Sequence, residues 1–126
     1  MNPNEQQIDK YVFLAKVAHQ AGSYPDMVNY LTKLVNFRES IAEDFTAAER
    51  LYISVGFKNY MGRFLSQSRI VDAIGKTGKY KKYLNTLPKF KRELLYRQRE
   101  QARKIARLFK DKAYKVASDQ ESMAFF

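Results

Sequence analysis

The stretch at residues 51–74, LYISVGFKNYMGRFLSQSRIVDAI, constrains this chain more than any other. Wound at about 3.6 residues per turn, it separates into two stripes. Ile53, Phe57, Tyr60, Phe64, Val71 and Ile74 recur at helical spacing, which predicts a face turned toward a core. Roughly opposite lie Leu51, Val55, Lys58, Gly62, Leu65, Arg69 and Asp72. That second stripe begins apolar and then stacks two cations, with Gly62 leaving room for something to approach the backbone. Just ahead, Thr46-Ala-Ala-Glu49 has the form of a capping box, and Gly75 is positioned to stop the helix. The segment is expected to be a helix with a core side and an anion-reading side.

The rest of the chain narrows the chemistry. At 126 residues it suffices for one domain, 1–126, with its own core. Without cysteine there is no disulfide framework or thiolate chemistry, as in a reducing compartment. A single histidine, His19, leaves no imidazole cluster for a metal, and no cofactor motif is present. No apolar run approaches the roughly 18 residues of a membrane span, and the polar start MNPNEQQ does not resemble a signal peptide. A cytoplasmic protein is expected. The GKT at Gly75-Lys76-Thr77 is not a phosphate-binding loop, because the glycine that pattern demands five residues earlier is Ile70. Carboxylates are scattered, and Ser54, Ser66 and Ser68 have no histidine in their own segment, so an enzyme is not expected.

Helical periodicity continues on both sides. Ile8, Tyr11, Val12 and Ala15 predict a first helix over 5–21. Gly22-Ser23 ends it, and Ser23, Pro25 and Asp26 suit the first turn of a second. Met27, Tyr30, Leu31, Leu34 and Val35 carry the second helix, and the short joint predicts an antiparallel hairpin. Residues 36–45 read as a linker anchored by Ile41 and Phe45. A long fourth helix, 88–116, has an apolar seam through Leu87, Phe90, Leu94, Ala102, Ile105, Phe109, Ala113 and Val116. Ser118, with Glu121 three residues on, is placed to cap a fifth helix, and the terminal Phe125-Phe126 needs a cover. The fold class is all-α: an antiparallel layer of four helices plus the start of a fifth.

Having reached these residues, the sequence resembles the 14-3-3 family. Ala15-Lys-Val-Ala-His-Gln-Ala21 followed by Ser23-Tyr24-Pro-Asp26-Met27 is similar to the family's L-A-E-Q-A-E-R-Y-D-D-M. Glu49-Arg50, Ser54-Val55 and Lys58-Asn59, then Gly62 and Arg69, are similar to E-R-N-L-L-S-V-A-Y-K-N-x-x-G. The end, Asp119 to Phe126, resembles A-E-S-K-V-F-Y at the start of a fifth helix. The resemblance covers nearly the whole chain but only about the first half of that fold, so the chain looks like the front of something larger. It implies a dimeric, all-α adaptor for phosphoserine and phosphothreonine peptides.

Residue by residue, the resemblance implies a phosphopeptide site at Lys58, Gly62, Leu65 and Arg69. Lys58 matches the family's phosphate-binding lysine, and Arg69 matches a supporting arginine. Leu65 stands where the family has a second phosphate-binding arginine, and the family's Arg-Tyr pair would fall beyond Phe126. Arg63 does not compensate, since five residues from Lys58 is about 140° around a helix. A lysine alone is a point charge without an arginine's fork, so binding is expected to be weak. The resemblance also implies a homodimer interface, with Val17, Ala21 and Asp26 on one side and Gln67, Val71 and Ile74 on the other. Ser23 replaces the arginine of one cross-subunit salt bridge.

The net charge of +10 departs from that family, whose members are usually acidic. Residues 1–75 balance 8 Lys and Arg against 8 Asp and Glu, whereas 76–126 hold 15 against 5. A second reading is therefore a basic helical protein that binds nucleic acid or another polyanion through residues 79–115, with Tyr80, Tyr83, Phe90, Tyr96 and Tyr114 available for stacking. It stands behind the first, because no nucleic-acid motif accompanies the charge. A helical-repeat scaffold ranks last: Gly22-Ser-Tyr24 resembles part of a tetratricopeptide unit, but no 34-residue recurrence follows.

Overall fold

A computed structural model of the chain describes residues 1–83 and 85–126, so that Leu84, within the basic span, lies outside the described residues. The helices are α1 (Pro3–Gln20), α2 (Tyr24–Ser40), α3 (Ala47–Lys76) and α4 (Leu87–Leu108). A short 3₁₀ turn, Lys81–Tyr83, precedes α4. A π-helical turn, Phe109–Ala113, carries α4 into the short α5 (Tyr114–Val116), and α6 (Gln120–Phe125) closes the chain. No strand occurs among the described residues. Two compact units result: Met1–Tyr60 with Ile105–Phe126, and Met61–Lys104.

In the first unit α1 and α2 pack as the expected hairpin. The joint is one residue in the left-handed region, Gly22 at φ +69°, while the Ser23 N–H donates back to the Ala18 carbonyl (2.9 Å). Ser23 does not cap α2 as expected. Its hydroxyl donates to the Asp26 carboxylate instead, and no side chain caps that end.

Helix α2 also runs further than the sequence suggests, since 36–40 are helical rather than linker. Neither glycine nor proline interrupts it, and its last turn carries Arg38, which is held in the interior. The helix ends with Ala42 at φ 53°, where glycine is usual, and with the Glu43 N–H on the Arg38 carbonyl (3.0 Å).

The core lies in this unit, around Ala15, Met27, Leu31, Leu34, Val35, Phe45, Ile53, Phe57 and Ala113. Gly56 has a part in it that the periodicity does not reveal. A Cβ there would sit 2.5 Å from Leu31 Cδ1 and 3.3 Å from Met27 Sδ, both on fully buried side chains. The glycine lets α3 lie directly on the packed side of α2. Phe126 is covered by its own fold: its ring meets Phe45 (5.2 Å) and Phe109 (5.5 Å), while Phe109 meets Phe57 edge-on (5.1 Å).

The second unit is more sparsely buried. Leu94 alone is buried among its described residues; Val71, Gly75 and Leu87 are half-buried. The predicted core face of α3 therefore fades along the helix: Ile53 and Phe57 are buried, Tyr60, Phe64 and Val71 half-buried, Ile74 exposed. Phe90 and Ala102, predicted in the seam of α4, are exposed. Nor does Gly75 stop α3, which continues to Lys76. The exit is made by the Thr77 hydroxyl on the Ile74 carbonyl (2.9 Å) and by Gly78 at φ +69°.

Two glycine substitutions test this packing. Gly56→Ala must displace Leu31 and is expected to lower stability by about 1–3 kcal/mol, despite alanine's better helix propensity. Gly62→Ala meets nothing within 4 Å and is expected to raise stability by about 0.5–1 kcal/mol. Urea midpoints at constant m-value measure both.

Candidate functional site

The expected anion-reading residues fall in different units, and each is held by its own surroundings. Lys58, in the first unit, is exposed. It follows the buried Phe57 on α3, so the packing that anchors Phe57 orients the lysine outward. In the second unit Gly62 and Arg69 are exposed and Leu65 is 49% exposed. Among the described residues nothing lies within 4 Å of where a Cβ at Gly62 would sit, so none of them requires glycine there. Among the described residues neither Lys58 nor Arg69 has a carboxylate within ion-pair distance. The sequence suggests Asp72 as a partner for Arg69, one turn away. Asp72 instead pairs with Lys91, which bridges α3 to α4 within the second unit.

The residues expected at a subunit interface are exposed, except Val71, which is half-buried. Val17, Ala21 and Asp26 are exposed in the first unit, where Phe13 adds a further bare ring on α1. In the second unit Gln67, Val71 and Ile74, spaced four and three residues apart, come together along one side of α3. With Ile70 from α3 and Phe90, Leu94 and Arg97 from α4 they line an apolar groove of about 330 Å³.

Three polar residues of the first unit carry structural weight that sequence spacing alone does not disclose. Arg38 and Glu49 are both buried and form a two-pronged pair, Nε to Oε1 at 3.0 Å and Nη2 to Oε2 at 2.8 Å. Arg38 also reaches Glu43 (3.0 Å). The buried Arg50 donates to the Phe45 carbonyl (3.0 Å) and to Glu121 on α6 (3.4 Å). The capping box is thus half formed. The Glu49 N–H donates to Thr46 Oγ1 (3.1 Å), but the Glu49 carboxylate receives the Thr46 hydroxyl and Arg38. The only sequence signal is Thr46-x-x-Glu49, which fits a cap and is silent about a partner eleven residues upstream.

Asp44 is the second junction. Its carboxylate accepts the Ser118 N–H (2.9 Å), the Ser118 hydroxyl (3.0 Å), the Ser122 hydroxyl (2.6 Å) and the Phe45 N–H (2.7 Å). Ser118 is therefore occupied and does not cap α6 as expected; Asp119 does, accepting the Ser122 N–H at 2.7 Å. Partial burial alone would raise the Asp44 pKa, but the donors on Ser118, Ser122 and Phe45 outweigh it and lower the value from 3.8 to about 2.

His19 lies half-buried against Tyr24 (6.0 Å), a packing residue on the α1–α2 joint. Among the described residues no cluster of His, Cys, Asp or Glu fits a metal, and no helix is long and apolar enough to cross a membrane.

The family model described as "14-3-3 protein" matches residues 14–126. The chain is 41% identical over 66 residues to the 14-3-3-like protein G-BOX factor 14 lambda of Arabidopsis thaliana, covering 52% of this chain and 26% of that protein. It is 36% identical over 66 residues to 14-3-3-like protein F of Nicotiana tabacum, covering 52% and 25%. It is 36% identical over 72 residues to 14-3-3 protein 10 of Solanum lycopersicum, covering 57% and 28%. In these matches the chain spans about a quarter of each relative's length.

Asp44 sets an acid limit on the first unit. A carboxylate whose folded pKa is depressed adds stability above its unfolded value near 3.8, and that stability is lost as pH falls toward about 2. Unfolding free energy is expected to drop through this window. Asp44→Asn should be less stable at neutral pH and show a flatter acid profile, read by urea titrations across that range.

Proposed function

Because the chain belongs to the 14-3-3 family, we propose that it is a cytoplasmic adaptor module that pairs with a second copy of itself and takes phosphorylated peptides weakly. Members of that family are non-enzymatic adaptors. The observation that carries the reading is the groove in the second unit. Gln67, Val71 and Ile74, assigned to the interface by resemblance, line a single apolar channel with Ile70, Phe90 and Leu94. An exposed apolar surface of this kind is stabilised by being covered. The complementary element is α1 of a second copy, which presents Phe13 and Val17 together with Ala21 at its end and Asp26 beyond it. In sedimentation equilibrium the full chain should be dimeric at tens of micromolar. Val71→Arg should raise the dimer Kd at least tenfold, the effect of losing ~1.4 kcal/mol. A wild-type chain that stays monomeric at that concentration would remove the dimer.

Lys58 is the phosphate ligand in this proposal, with Arg69 in support and Gly62 and Leu65 at the matching motif positions. The lysine is exposed, and among the described residues no carboxylate lies within ion-pair distance of it, which favours an anionic guest. Affinity for a phosphoserine peptide is expected near the millimolar end, because each absent charge-assisted hydrogen bond is worth about 1.5–3 kcal/mol. Lys58→Glu should abolish the binding. Leu65→Arg, which replaces an exposed leucine with the family's arginine, should tighten it by about tenfold or more, the effect of one such bond. NMR titration with phosphorylated and unphosphorylated peptide reads both changes; a Leu65→Arg chain that still ignores the phosphate would count against the site.

A further inference from the structure

The excess positive charge is confined to one unit. Residues 61–104 hold 13 Lys and Arg against 3 Asp and Glu, the whole net +10, while the remainder of the chain balances 10 against 10. Within this unit the cations are ordered. Lys89, Arg92, Tyr96, Arg99 and Arg103 follow one another at spacings of three, four, three and four along α4, which stacks them on a single helix face. All five are exposed, and Tyr96, at the centre of the row, is 63% exposed.

We propose that this face binds single-stranded nucleic acid, with Lys89, Arg92, Arg99 and Arg103 on the phosphates and Tyr96 as a stacking platform for a base. The row spans 14 residues of helix, about 21 Å at ~1.5 Å rise per residue. That length fits a few nucleotides, with one aromatic set between pairs of cations, the combination that sequence-independent single-strand binders use. Among the described residues, Arg103 is the one cation of the row with an ion pair, a solvent-exposed contact to Glu100 (2.7 Å), which a phosphate replaces at little cost. Elsewhere in the unit, Tyr80 and Tyr83 are exposed beside Lys79 and Lys82, whose ammonium groups lie 5.6 and 5.8 Å from the ring centres. They repeat the same chemistry around the 3₁₀ turn.

Charge and composition select this occupant over others. A membrane-surface helix needs an exposed apolar face to insert, but this row has no aliphatic side chain, and the apolar side of α4 faces α3 at Leu87 and Leu94. A duplex would use the cations and leave Tyr96 idle, because its bases are already stacked. The row also lies about half a turn around α4 from Phe90, Leu94 and Arg97, since the helix advances ~100° per residue. Pairing through the groove and binding a strand on this face are therefore compatible, and the inference does not depend on the dimer or on the phosphopeptide reading.

The test is fluorescence anisotropy of the full chain with a fluorescein-labelled oligothymidine twelve-mer, its duplex, and phosphatidylserine vesicles, over a range of salt. Binding to the single strand should exceed the other two and weaken steeply with salt. Arg92→Gln with Arg99→Gln should lower the slope of log K against log salt by about 1.4, from ~0.7 per phosphate contact on a single strand. Tyr96→Ala should weaken binding by about fivefold or more at an unchanged slope, and Tyr96→Phe should restore it. Lys33→Gln in the first unit should change nothing. A duplex or vesicle bound as tightly as the single strand, or a Tyr96→Ala chain that binds like the wild type, would overturn the proposal. Unchanged circular dichroism of these surface variants separates a lost contact from lost folding.

Discussion

The buried pair between Arg38 and Glu49 is the constraint from which much of the first unit follows. Two charges brought out of water cost several kcal/mol each unless geometry and further hydrogen bonds offset the loss. Here the guanidinium meets the carboxylate with two nitrogens, Thr46 adds a third donor, and Glu43 takes another arginine nitrogen. The pair ties the last turn of α2 to the first turn of α3. Satisfying it requires α2 to remain helical through Arg38 and to turn back within a few residues. Ala42 accepts a left-handed backbone in that turn although it lacks glycine's freedom. Removing Arg38 would leave the Glu49 carboxylate buried with the Thr46 hydroxyl but no countercharge, and removing Glu49 would leave the buried Arg38 with Glu43; either loss costs more than the pair contributes.

A second polar junction ties the same loop to the end of the chain. Asp44 collects two serine hydroxyls and two backbone N–H groups, and Arg50 reaches from the Phe45 carbonyl to Glu121. Beneath these contacts Phe45, Phe109 and Phe126 pack ring against ring. The polar ties give direction and the aromatic contacts give area. Together they explain why residues more than seventy positions apart in sequence meet in one unit.

The second unit is built on a different balance. Among its described residues one leucine is buried and one ion pair bridges its helices, and thirteen cations face few acids. Self-repulsion on that scale opposes compaction, and an apolar groove remains bare beside it. In the readings proposed above, a second copy would cover the groove and a polyanion would neutralise the cations. The first unit is thus neutral and stitched by polar ties, and the second is charged and lightly buried.

Helical periodicity alone determined the all-α class, the α1–α2 hairpin and the burial of Ile53 and Phe57, because side chains three and four residues apart share a face whatever they pack on. The Lys58-Asn59 and Glu49-Arg50 motifs pointed to the family. Local chemistry was not legible where another group, near or distant, competed for a side chain. Asn2 and Asp119 cap their helices, although the spacing singled out neither, whereas Ser23, Ser118 and Glu49 were drawn to Asp26, Asp44 and Arg38. The end of α2 moved because Arg38 is held by Glu49, whereas α3 ends at a local turn made by Thr77 and Gly78. Tertiary packing alone decided that Gly56 is needed and Gly62 is not, that Arg38 is interior, and that Val71 and Ile74 line a groove. Each of these depends on what lies across from the residue, and a one-dimensional pattern records spacing along a helix but not the identity of its neighbour.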